Sequence, residues 1–129
     1  MTETPEHAEA VAAARQVLHA YMAAFNAVDG VALAKVYHFP SAYLASNRFS
    51  MIDDVTHEIE AIAAFREKGW HHSAWDRLTV IHASPLKVHL DARINRYRAD
   101  NTIFATATTL IIVTNENGHW AIRLRSNFL

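Results

Sequence analysis

Residues 21–30 read YMAAFNAVDG and end a long, alanine-rich helix at a turn. Upstream, apolar residues recur at three- and four-residue spacing, which is typical of an amphipathic helix. Pro5 suits a first helical turn, so the pattern predicts a helix over residues 5–28. Asp29 and Gly30 interrupt it, since glycine supplies a left-handed cap and aspartate caps the following helix.

Two shorter helices and two short strands are predicted next. One helix has apolar residues up to Tyr37 and ends at Phe39-Pro40, because the residue before proline disfavours helix. Residues 41–47 and 48–52 have the composition of short strands. A third helix then covers residues 53–69, where the final glycine closes it.

The second half of the chain changes to the alternating period of β-strands. Turn residues separate four predicted strands, at residues 73–83, 88–98, 102–114 and 120–128. Alternation assigns one set of side chains to the helix-facing side of the sheet: Val88, Leu90, Ala92, Ile94, Phe104, Thr106, Thr108, Leu110, Ile112, Trp120, Ile122 and Leu124. Helices first and strands later predict an α+β fold over residues 1–129 as a single domain.

Composition excludes several classes of function. Lys and Arg number 12 against 13 Asp and Glu, so no basic field attracts nucleic acid or an anionic membrane. Cysteine is absent, which excludes disulfides and thiol catalysis. No apolar stretch is long enough for a membrane span. The polar, acidic N-terminal residues argue against a signal peptide, and we expect a cytoplasmic protein.

The order of elements resembles the nuclear transport factor two-like fold along essentially the whole chain. That superfamily includes ketosteroid isomerases, scytalone dehydratases and SnoaL-like polyketide cyclases. The second half of the chain, from GWHHSAWD at residues 69–76 through SNF at 126–128, is similar to an uncharacterised bacterial branch of this superfamily. The resemblance implies a cone-shaped fold, three N-terminal helices on a curved antiparallel sheet, and a homodimer through the sheet face.

The pattern Tyr-x-Ala-Ala-x-Asn-Ala-x-Asp at residues 21–29 is similar to the end of the first helix in bacterial ketosteroid isomerases. In those enzymes a tyrosine donates a hydrogen bond to the dienolate oxygen, and Tyr21 occupies the matching position. An ungapped count places the family's base at Ala45 and its protonated aspartic acid near Leu110. Neither side chain can do that chemistry, so isomerase activity of this type is not expected.

Aromatic and imidazole side chains are dense after the third helix. Trp70, His72 and Trp75 suit the mouth of a ligand pocket, and His72 with Asp76 is a weak candidate for an acid–base pair. Adjacent histidines on a strand point to opposite faces, so at most one of His71 and His72 faces a cavity. The alternative is a covering loop in which the tryptophans are plugs.

A mainly apolar pocket is predicted between the helices and the sheet, for a small, largely apolar ligand. Its candidate residues are Tyr21, Phe25, His38, Trp70, His72 and Trp75. Tyr21 is either a ligand-facing donor or a core tyrosine. His38 either faces the cavity or, as the favoured alternative, caps the carbonyls that end the second helix. No cofactor is expected, and no metal, because His71, His72 and Asp76 lack a metal-binding spacing.

The opposite side of the sheet is either solvated or a homodimer interface, and the interface is favoured. Its candidate residues are His89, Asp91, Arg93, Tyr97, Arg123 and Arg125, with Ile103, Ile111 and Val113 on the same predicted face. Interspersed charges allow pairs across two subunits, and exposed apolar residues favour burial.

Three functions remain open from the sequence. The first is ligand binding without turnover, because no acid–base pair is evident. The second is a lyase or isomerase of the cyclase or dehydratase type that uses His72 and Asp76 as an acid–base pair, with Tyr21 as a further candidate catalytic residue. The third is a structural dimer whose core is filled by its own side chains.

Overall fold

The computed structural model describes residues 7–128, so the predicted helix start at Pro5 lies outside the described residues. Within this range three helices and six strands follow one another: α1 Ala8–Ala27, α2 Gly30–Lys35, β1 Tyr37–Ala45, β2 Arg48–Ile52, α3 Thr56–Glu67, β3 His72–Ala83, β4 Lys87–Tyr97, β5 Ile103–Glu116 and β6 His119–Asn127. The strands form one sheet in the order β2-β1-β6-β5-β4-β3. The predicted α+β class, with three helices before a long meander, is confirmed.

The turn after α1 differs from the prediction. Val28, not Gly30, takes the left-handed conformation that ends α1, with φ of 52°. This conformation is uncommon for a β-branched residue, and Val28 adopts it while packing against the core. Asp29 caps α2 as predicted, because its Oδ1 accepts a hydrogen bond from the Ala32 N–H at 3.1 Å.

The second helix is shorter than predicted and β1 begins earlier. Tyr37 starts β1, and Pro40 lies inside this strand at an irregularity in its parallel pairing with β6. His38 therefore caps no helix: its Nε2 donates to the Thr114 carbonyl at 3.0 Å. The carbonyl of Lys35 at the end of α2 accepts instead from Nε2 of His119, at 3.1 Å.

The helices pack on the face of the sheet that carries Leu90 and its alternating neighbours, as predicted for β4. The prediction is inverted for β5, because Leu90 pairs with Ile111, which is buried facing the helices. Leu110 and Ile112 point to the outer face instead. Since β5 is apolar and β-branched on both sides, its own sequence does not fix which side faces inward.

A β-bulge in β6 reverses a second assignment. Val113 pairs with Ile122 and Ile112 with Leu124, so Arg123 is an extra residue between them. One extra residue inverts the alternation that follows, and Arg125 therefore faces the helices. The predicted place of Arg125 in an outer interface is wrong. Arg123 stays at the surface, where it pairs with Glu116.

Polar side chains join α1 to β3. The amide of Asn26 donates to the Ser73 carbonyl and accepts from the Ser73 N–H, both at 2.8 Å. The indole of Trp75 donates to the Leu18 carbonyl at 2.9 Å. These bonds hold the end of α1 against the sheet, where Tyr21 and Phe25 are buried. No helix within residues 7–128 is long and apolar enough to cross a membrane.

Candidate functional site

Two adjoining cavities lie between the helices and the sheet, with volumes of about 50 and about 20 Å³. The larger one lies beside His57, whose side chain is 45% exposed, so it reaches the surface next to α3. The smaller one has three apolar wall residues, Ile94, Ile111 and Ile122. Both cavities share four lining residues: Tyr21, Arg96, Arg125 and Asn127.

A buried ion pair joins α3 to β6 at these cavities. Nη2 of Arg125 donates to Oε1 of Glu58 at 2.6 Å, and both side chains are at most 10% exposed. Burial has the largest effect and acts to lower the pKa of Arg125, but Glu58 together with the nearby tyrosines outweighs it and raises the pKa above its ordinary value. The guanidinium also lies over the rings of Tyr43 and Tyr37. Arg125 therefore stays charged, and its hydrogen bond commits Glu58 to it.

Arg96 is the second buried cation and has weaker partners. Its Nη1 donates to Oγ of Ser73 at 3.1 Å, and its guanidinium carbon lies 4.5 Å from the Phe65 ring centroid and 5.1 Å from that of Phe25. Burial lowers the pKa of Arg96, and Tyr21 and Glu58 oppose that shift. An arginine nevertheless keeps its proton in proteins. The prediction of a mainly apolar pocket is therefore corrected: its walls carry two guanidinium groups and a carboxylate.

Tyr21 and Tyr37 face this charged interior from α1 and β1. Their rings meet edge to face with centroids 6.1 Å apart. Burial raises the pKa of Tyr21 well above its ordinary value, and Glu58 raises it further. Burial likewise raises the pKa of Tyr37. Both hydroxyls are therefore protonated at neutral pH and are donors rather than bases.

The two tyrosines make the fold sensitive to alkali. Their contribution to stability is fully present below the unfolded-state pKa of about 10 and is lost as the pH rises above it, because only the unfolded chain releases both protons. We expect the free energy of unfolding in urea to fall above pH ~10 and Tyr37→Phe to reduce this slope. If the free energy of unfolding of Tyr37→Phe falls with pH as steeply as that of the wild type, Tyr37 does not have a raised pKa in the folded state.

The structure brings some of the predicted pocket residues together and separates others. Tyr21 and Phe25 line the larger cavity and Trp75 lines the smaller one. Trp70 packs behind them against Phe25 and donates to Oγ of Ser73 at 2.8 Å. His38 lies in β1, away from the lining residues.

The predicted His72–Asp76 pair is wrong. The ring of His72 stacks on Tyr97 on the outer face of the sheet, with centroids 5.0 Å apart. Asp76 pairs instead with Arg93, at 3.5 Å. A β-bulge between Trp75 and Arg77 places Asp76 outside the regular pairing, so sequence spacing does not report its direction.

Glu58, His57, Arg96 and Arg125 are site residues that the sequence reasoning missed. Arg96 continues the alternation of Leu90 in β4, and Glu58 lies on the inner face of α3. The sequence periodicity alone could therefore have placed both side chains between the helices and the sheet. Arg125 carried none, because its direction depends on the bulge at Arg123.

Other regions of the described structure offer fewer groups for binding or catalysis. A cavity of about 210 Å³ lies elsewhere, and its described walls are Glu9, Ala10, Pro85, Asn115 and Trp120, with no basic or imidazole group among them. Across residues 7–128, no three His, Asp or Glu side chains converge as a metal ion requires.

Several solved structures have the same fold. An NTF2-like protein with a cystatin-like fold from Novosphingobium aromaticivorans aligns with a TM-score of 0.74 at 15% identity, over 95% of this chain and 82% of that one. A ketosteroid isomerase-like protein from Erwinia carotovora atroseptica has a TM-score of 0.66 at 16% identity, over 93% and 95%. Aln2 from a Streptomyces species has a TM-score of 0.71 at 15% identity, over 99% and 93%.

At these identities the similarity shows the fold alone. No curated protein matches the chain at a significant level. Residues 8–125 match a family described as NTF2-like protein (DUF6841), so the chain belongs to this NTF2-like family, and the resemblance seen in the sequence is confirmed.

Proposed function

We propose that this protein binds a small molecule in the two interior cavities and does not convert it. The single observation that carries the proposal is a pair of adjoining cavities whose shared walls hold Tyr21, Arg96 and Arg125. Convergent polar groups in a concave, partly aromatic site are typical of ligand binding. Burying two cations is costly, and a ligand that uses them offsets this cost.

The same groups are poorly suited to proton transfer. Glu58 is held by Arg125 at 2.6 Å, and the raised pKa of Tyr21 keeps its hydroxyl protonated. A general base must be able to accept a proton near the working pH. Binding therefore fits the charged core better than the lyase or isomerase reaction does.

Amide NMR with small probes tests this proposal. The indole N–H of Trp75 reports on the smaller cavity, and that of Trp120 reports on the separate cavity near Glu9. We expect neutral and charged probes of up to six heavy atoms, at millimolar concentration, to shift the Trp75 signal and not the Trp120 signal. If no probe shifts Trp75, the third hypothesis, a structural core filled by its own side chains, replaces this one.

One observation favours catalysis as a second candidate. His57 and Tyr21 line the same cavity, and Nδ1 of His57 lies 3.9 Å from Oε1 of Glu58. An imidazole and a tyrosine donor that line one cavity can together abstract a proton next to a carbonyl and hold the developing oxyanion. Exchange of the α-protons of a small ketone in D₂O tests this role: exchange that is lost in His57→Ala supports it, and exchange equal to buffer excludes it for that ketone.

We also propose a homodimer through the outer sheet face. No described helix covers this face, and an outer apolar patch, made of Leu44, Phe49 and Met51, is exposed on β1 and β2, with Phe49 65% exposed. The patch continues across the sheet to Leu124 and Ile112. Charges on the same face at the other edge of the sheet are paired, as in Arg77–Asp91 and Arg93–Asp76, so a second copy meets little repulsion there.

Sedimentation tests the dimer. We expect the wild-type chain to sediment at twice its own mass, and Phe49→Asp to weaken association about 30-fold, because a large apolar contact buried in an interface is worth about 2 kcal/mol. Val31→Asp, at an exposed position on α2, is the control and keeps the dimer. A wild-type chain that sediments as a monomer at micromolar concentration contradicts the proposal.

A further inference from the structure

Arg96 has more hydrogen-bond donors than its surroundings use. A guanidinium carries five N–H groups, and Nη1 donates to Oγ of Ser73. Within residues 7–128 no carboxylate lies within ion-pair distance of Arg96. Phe25 and Phe65 lie against its guanidinium, so the unused donors at its edge remain for a partner in the cavities.

The charges around the cavities do not cancel. Arg96 and Arg125 contribute two positive charges and Glu58 contributes one negative charge, which leaves a surplus of one. The tyrosines are neutral because their pKa values are raised. His57 and Tyr43 are the other titratable groups in the described lining. A ligand with a single negative charge neutralises the surplus.

An unpartnered donor lies in the same region. Nε of Arg125 is buried and has no hydrogen-bond partner among the described residues, and Arg125 lines both cavities. The buried hydroxyl of Tyr37 is different, because it interacts with Glu58 and Tyr21. Buried polar groups are normally satisfied, so the free Nε–H adds to the unused donors of Arg96.

We propose that the ligand is a small monocarboxylate whose carboxylate binds against Arg96. The inference rests on the proposed function and names the ligand class of the same site. A carboxylate offers two planar oxygens that match an arginine fork. A short apolar body is then directed towards Ile94, Ile111 and Ile122, which line the smaller cavity. The single surplus charge favours a monoanion over phosphate, which is largely dianionic above neutral pH.

Titration with propionate, followed by amide NMR at constant ionic strength in chloride, tests the ligand class. Propionamide has the same shape without the charge, and inorganic phosphate is the dianionic comparison. We expect propionate to shift the Trp75 indole signal, and propionamide and phosphate to bind at least about tenfold more weakly. Arg96→Met should weaken propionate binding about tenfold or more, whereas Arg66→Met, at an exposed position on α3, should not.

Folding is monitored separately, because Arg96→Met also changes the core. We expect this variant to remain folded and at least as stable as the wild type, since it replaces a cation that lacks a carboxylate partner by an apolar chain of similar length. Propionate that binds equally to Arg96→Met overturns the inference, and so does phosphate that binds as tightly as propionate. If propionamide binds as well as propionate, the carboxylate class fails while small-molecule binding stands. If none of the three probes binds, the inference is overturned, and the proposed function is then decided separately by the wider panel of neutral and charged probes.

Discussion

Glu58→Gln lowers the free energy of unfolding by about 3–5 kcal/mol, because it leaves Arg125 buried without its counter-charge. The pair is 2.6 Å apart and almost fully buried, and Arg96 already adds an unbalanced cation nearby. The same change lowers the melting temperature by roughly 10–20 °C in a domain of this size. Urea unfolding followed by circular dichroism measures the loss as a lower midpoint at an unchanged slope.

A double variant separates the cost of a broken pair from the value of an intact one. Glu58→Gln combined with Arg125→Met removes the uncompensated charge, so we expect it to recover more than half of the loss. Glu60→Gln, at an exposed position on the same helix, is the matched control and changes stability by less than about 0.5 kcal/mol. A loss below about 1 kcal/mol for Glu58→Gln alone would show that the pair is solvated rather than buried.

Phe25→Ala costs about 3–5 kcal/mol, because it removes a large buried ring from the centre of the fold. Phe25 is 2% exposed, and its ring contacts those of Tyr21, Trp70 and Phe65. It also lies against the Arg96 guanidinium, so the substitution removes a cation–π contact as well. The larger cavity, which Phe25 lines, grows at the same time.

The same urea titration measures this effect, and Phe128→Ala is the matched control. Phe128 is 87% exposed, so its truncation changes stability by less than about 0.5 kcal/mol. A cost for Phe25→Ala below about 1.5 kcal/mol would mean that neighbouring rings collapse into the space, which then reduces the cavity volume rather than enlarging it.

The sequence determined the elements and their order. Helical spacing before Gly30 and alternation in β4 are local patterns, and both agree with the structure because each repeats over many residues. The cap at Asp29 is likewise local, since its carboxylate accepts a hydrogen bond from the N–H of Ala32, only three residues further along the chain. The aromatic residues Tyr21, Phe25 and Trp75 also lie where an apolar helix stripe and a strand place them.

Only the tertiary structure decided the chemistry of the interior. The bulge at Arg123 turns Arg125 inward, and the pairing of β5 with β4 decides which of its two apolar sides faces the helices. Glu58 and Arg125 are 67 residues apart and meet only when α3 closes over β6. A bulge decides which face of the sheet the later side chains take, and it is not visible in the alternation of the sequence. Charge pairing between distant elements likewise depends on tertiary contacts. The sequence patterns therefore predict an apolar pocket, whereas the folded chain encloses cavities with charged walls.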